Sequence, residues 1–308
     1  MGRIEDIEAR LKARIGAMSR RLGDRMTAMD ARLNGDVSDV VNSLEDTLEA
    51  WLQPDVADIR PLFDYVRSSR VVQDNPGYSN ALANVDLVYL TNPAESKSNE
   101  VNAGAIASGG RFKIAICAGL ARQARIAGTA LASKDAVVTF KRLLKIVDGE
   151  PGWAASISMQ EAKKLFSALG LSLDRILADE AMRQEAVARS SAAILATLAH
   201  EAGHIVLGHV NADVDYYKVN LEVARMQERQ ADSFMSSVIS TVPFGEHMFE
   251  AELFFDYLNA VAEKAESNDS QRTHPLSIER YNNLLKDHPD LAVRYDLKPL
   301  NAISDDKA

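Results

Sequence analysis

Three of the chain's six histidines fall within ten residues, in the stretch ATLAHEAGHIVLGHV at positions 196–210. His200 and His204 stand four apart, and Glu201 follows the first. On an α-helix a four-residue step turns about 400°, so both imidazoles leave one face about one turn apart. Two imidazoles placed in this way can meet one ion at about 2.0–2.1 Å. Glu201 lies about 100° round the helix from His200. From there a carboxylate can reach a water on the same metal without ligating the metal itself. Two ligands with a base between them suit attack by water on a polarised substrate. The preceding Ala192, Ala193, Ile194, Leu195, Ala196 and Leu198 mark a buried helix. A glutamate and two histidines in such a helix are costly to bury unless they bind something.

A hydrolytic zinc site needs a third protein ligand and an open fourth position. His209 is one candidate. If the helix runs on through it, its ring points about 140° away from His204. The metzincin spacing does not apply either, because Leu207 stands in that pattern's glycine place and Val210 in its histidine place. His209 is therefore expected beside the ligands rather than among them. The stronger candidate lies in RMQERQADSFM at 225–235, where Glu228 and Asp232 are four apart and share a helical face. A loop around Asn211 to Asp215 would turn this helix back on the first. Glu228 then completes a site of two histidines and one glutamate. Asp232 can accept the other ring N–H of a ligating histidine and fix its tautomer.

His-Glu-x-Gly-His-x-x-x-x-His followed by Glu-x-x-x-Asp resembles the gluzincin metallopeptidases typified by HtpX and the CAAX prenyl protease. Two more stretches agree: VNAGAIASGGRFKIAICAGL at 101–120, and THPLSIERYNNLL at 273–285. In this order the matches cover residues ~85–286. The resemblance implies a zincin-like domain, a zinc ion and peptide-bond hydrolysis. Carried over residue by residue, it makes His200, His204 and Glu228 the zinc ligands and Glu201 the base. It also brings His274 and Arg280 near the active site. These two, with Tyr216 and Tyr217, are candidate donors to a substrate oxyanion. The strand near Asn102, Ala103 and Ile106 could pair with an extended substrate.

The elements that must hold these residues read as α+β and mostly helical, with a small sheet. Val85–Leu90, Val101–Ala107 and Arg111–Cys117 read as strands, the last two joined by Ser108-Gly109-Gly110. Helical patterns cover 121 onward, 158–170, 173–209 with a break near Asp179, 218–241 and 246–266. Ahead of this domain, apolar residues from Ile4 to Trp51 recur in steps of 3, 4 and 4. That is an 11-residue repeat, close to the natural helical pitch. It predicts a long amphipathic helix, or a hairpin broken at Asn34-Gly35-Asp36. Its stripe must pack on a sister chain, on the following domain, or on a partner or membrane surface. Residues 1–52 form this module, 53–300 the peptidase domain and 301–308 a polar tail.

The formal charge of −9 disfavours nucleic acid as a partner. No apolar run of membrane-spanning length occurs, and the acidic start does not read as a signal peptide. The single Cys117 sits in an apolar run and reads as a buried thiol. These features predict a soluble, cytoplasmic zinc metalloendopeptidase acting on protein or peptide substrates, with a possible homo-oligomer through residues 1–52. The alternative is a regulatory or scaffold protein that assembles through the N-terminal helix and uses the peptidase fold mainly for binding.

Overall fold

The computed structural model describes residues 16, 20, 46–54, 56–92, 96–149, 156–210, 221–241, 281–283, 285–286 and 289–300. Most of the amphipathic N-terminal segment, the helix expected at 246–266, Tyr216, Tyr217, His274, Arg280 and the polar tail lie outside these residues. The described part is mostly helical with one three-stranded sheet.

After the helical residues 46–52 come helices α1 (Val56–Ser68), α2 (Arg70–Gln73) and α3 (Pro76–Ala83), where the sequence pattern was mixed. Strands β1 (Asp86–Leu90), β2 (Ala103–Ser108) and β3 (Arg111–Cys117) follow in the order β1-β3-β2. β3 pairs parallel with β1 and antiparallel with β2. The β2–β3 connection is tighter than expected: Ser108 pairs with Arg111, leaving a two-residue turn. Gly109 and Gly110 have φ of 60° and 75°. Two successive positive φ values define the hairpin turn whose twist matches its strands, and glycine adopts them without a Cβ clash. Among the described residues β2 is thus an edge strand, and Ile106 on it is exposed.

β3 runs directly into α4 (Ala118–Ala132), which lies across the core and is buried at nearly every position. Helices α5 (Ala136–Gly149), α6 (Met159–Ala168) and α7 (Leu173–Ala178) lead to the long α8 (Glu180–Val206). α6 opens with a capping box: Ser158 accepts from the Glu161 N–H, and Glu161 accepts from the Ser158 N–H. The break predicted near Asp179 is the N-cap of α8, where the Asp179 carboxylate accepts from the Met182 N–H at 3.0 Å. α9 (Leu221–Ile239) packs on α8, and α10 (Pro289–Tyr295) on α5.

α4 and α8 approach closely because Gly128 faces Ala186 and Ser190. There the Ser190 hydroxyl donates to its own helix at Ala186 O, 2.5 Å away. α4 also receives Trp51 and Gln53. Trp51 and Leu52 are fully buried, and the Trp51 indole N–H donates to Thr129 Oγ1 at 3.2 Å. The Arg125 guanidinium stacks 4.8 Å from the Trp51 ring centroid, and burial lowers its pKa to about 10. Arg122 donates to Gln53 Oε1, Asn99 Oδ1 and Ile157 O. The last turns of the apolar stripe, from Leu48 to Leu52, therefore pack on the chain's own domain.

Two outcomes test this packing. A Cβ at Gly128 would sit 2.6 Å from Ala186 O and on the Ser190 hydroxyl. Gly128→Ala should destabilise by about 1–3 kcal/mol in urea unfolding, despite the helix preference for alanine. Burial, and then the nearby Glu100, raise the Cys117 thiol to about 11. Alkylation of native Cys117 at pH 8 should run at least about 100-fold slower than in the unfolded chain.

Candidate metal centre

Helix α8 carries His200, Glu201 and His204 in its penultimate turns, all buried. α9 brings Glu228, which is 2 % exposed, against them. The two helices meet at Gly203 and Ala231: a Cβ on Gly203 would stand 3.1 Å from Ala231 Cα. Contacts run in opposite order along the helices, with His200 meeting Asp232, Gly203 meeting Ala231 and His204 meeting Glu228. The glycine between the two histidines thus sets the interhelical distance that a glutamate side chain must span.

The ligating atoms converge. His200 Nε2 and His204 Nε2 are 3.1 Å apart. Glu228 Oε2 lies 3.2 Å from the first, and Glu228 Oε1 lies 3.6 Å from the second. A tetrahedral ion with bonds near 2.0–2.1 Å has ligand–ligand edges of about 3.3 Å. His200, His204 and Glu228 can each turn one ligand atom to within 4.8 Å of the others, which among the described residues offers three corners of such a tetrahedron. The outer nitrogens explain the ring orientations. Asp232 Oδ1 is 2.8 Å from His200 Nδ1, so that nitrogen donates and the Nε2 lone pair turns inward. With both Nε2 atoms unprotonated, two lone pairs and a carboxylate this close repel in a buried site unless a cation lies among them. The buried group His200, His204 and Glu228 is thus able to hold a metal ion.

His209 is placed differently from the continuous-helix expectation. α8 ends at Val206, and Gly208 has φ 73°. The Gly208 N–H donates to Ile205 O at 3.1 Å, and the His209 N–H donates to His204 O at 2.8 Å. This pair of bonds is a Schellman motif. It folds His209 back over His204, with ring centroids 5.2 Å apart. His209 Nδ1 then lies 3.2 Å from His204 Nδ1, and Nε2 lies 3.0 Å from Gln230 Oε1. Burial, and next the His204 ring, hold His209 below the usual histidine range, favouring the neutral ring. Gln230 had no signal of its own in the sequence. The Schellman turn did, in Gly208.

Of the remaining candidates, Ala103 begins the edge strand β2, which packs beside α8. Asn102 precedes it, exposed, and its carbonyl accepts from the Cys117 N–H at 3.0 Å. Neither the models of known families, nor the curated proteins, nor the solved structures give a match to this chain. No helix among the described residues is long and apolar enough to cross a membrane.

Purified protein loaded with zinc and dialysed should retain about one ion per chain by elemental analysis. Glu228→Ala removes one of three corners and should lose retained zinc while keeping its helical circular dichroism.

Proposed function

We propose that the chain is a zinc-dependent endopeptidase of the gluzincin kind, similar to HtpX and the CAAX prenyl protease. The observation that carries this reading is the three-ligand cluster with Glu201 buried beside it on the same helix. A purely structural metal site would close all four corners with protein atoms. Among the described residues this one supplies three and adds an acidic residue of the right type to move protons. The sheet with an edge strand next to α8 supports a zincin-like domain, as does the order of sheet, motif helix and glutamate helix.

When bound, zinc supplies Lewis acidity, making water a competent nucleophile near neutral pH and polarising a carbonyl. His200, His204 and Glu228 would hold it. Asp232 fixes the His200 ring so that Nε2 faces inward. The Glu201 carboxylate takes a proton from the attacking water and delivers it to the nitrogen of the scissile bond. The carbon–nitrogen bond breaks, and one water has been added across it. Burial of Glu201 keeps competing water from this transfer. An extended peptide can add to the free edge of β2 through main-chain hydrogen bonds, aligned past the motif helix.

Glu201→Gln keeps the shape and removes the base. The zinc-loaded variant should bind the ion as before and cleave an unstructured protein substrate about 10²–10⁴-fold more slowly. Undiminished cleavage would overturn this mechanism.

A further inference from the structure

The third histidine of the opening stretch does not point into the metal cluster, yet its ring is held at both nitrogens. His209 Nδ1 is 3.2 Å from His204 Nδ1, and His209 Nε2 is 3.0 Å from Gln230 Oε1. We infer that His209 is a positioning residue for the metal site, locking His204 in the tautomer that turns the Nε2 lone pair towards the ion. The inference rests on the metal reading above.

The bond directions follow from one end. The Gln230 carbonyl oxygen only accepts, so His209 Nε2 carries the hydrogen. A neutral imidazole then has its lone pair on Nδ1. The nitrogen facing it, His204 Nδ1, must donate. The remaining nitrogen of His204, Nε2, is therefore a lone pair, and it lies 3.1 Å from His200 Nε2 within the cluster. Turning the Gln230 amide over would reverse every bond and put a hydrogen on His204 Nε2, where the ion belongs. Asp232 does for His200 what His209 does for His204, but with a carboxylate rather than a neutral ring. The two supports differ in origin. Asp232 and Gln230 both come from α9, whereas His209 arrives through the backbone turn at Gly208. Docking of α9 thus sets both ligand rings, one directly and one through His209.

The test separates the hydrogen bond from the packing of the ring. His209→Phe keeps an aromatic ring against His204 and removes the acceptor. His209→Asn puts a carbonyl oxygen where Nδ1 stood. Zinc affinity is measured by competition with a chromophoric chelator, and the fold by circular dichroism. His209→Phe should bind zinc about 10–100-fold more weakly than the parent, and His209→Asn within about threefold of it. In the zinc-loaded parent and in His209→Asn, nitrogen-15 NMR should show a protected proton on His204 Nδ1, absent in His209→Phe. Equal zinc affinity in the parent and His209→Phe would overturn the inference and leave the metal site standing. A parent that binds no zinc would overturn the metal reading and this inference with it. Should His209→Phe fail to fold, Gln230→Leu at an exposed position serves: weaker zinc binding supports the relay, and unchanged binding overturns it.

Discussion

Two imidazole nitrogens and a carboxylate are held within 3.6 Å of one another, away from solvent. Nothing in an apolar core favours that arrangement by itself. With both nitrogens unprotonated it persists only if a cation joins the three atoms, or if the scaffold is rigid enough to hold them until one does. The scaffold meets that demand through helix α8. Twenty-seven residues long, it is anchored along its first half to α4 through the Gly128 contact. Its second half then projects His200 and His204 at a fixed spacing. α4 is in turn held by the strand that feeds it and by its own Thr129, Arg125 and Arg122, which bind Trp51, Gln53 and Ile157 O.

The second helix of the site is fixed by a different contact. Gly203 lets α9 approach until Ala231 touches the α8 backbone. At that separation Glu228 reaches both imidazoles and Asp232 reaches the outer nitrogen of His200. A larger residue at either place would move the helices apart by a fraction of an ångström. Metal geometry tolerates little of that, since distances must hold within about 0.2 Å. Small residues here serve a site of charged and polar ones.

Much of this was legible in the sequence, for reasons that are local. His200 and His204 are four apart on an apolar helix, and so are Glu228 and Asp232 on the next. Helical periodicity alone puts each pair on one face. Asp179 read as a break because an N-cap has a side-chain signature. Gly109-Gly110 read as a turn because positive φ favours glycine. His209 stands beside the ligands as expected, but the helix was carried too far, through Gly208, whose left-handed backbone ends it after Val206. Of the helices before β1, α2 and α3 are too short to display a period, and α1 shows one in Ile59, Leu62, Phe63 and Val66 but carries Pro61, which reads as a breaker.

The sequence by itself determined which side chains could act on a metal and how each pair is spaced, because those are properties of a single helix. It also determined that the apolar stripe before Pro54 needs a surface to cover it. Only the tertiary structure decided that Glu228 and the two histidines share one centre, since that depends on a helix–helix distance with no local signal. It likewise decided that Trp51 packs on α4, and that His209 and Gln230 stand behind His204. Those contacts join residues that periodicity treats as unrelated. They form because a glycine turn and a small-residue contact bring separate elements within hydrogen-bond reach.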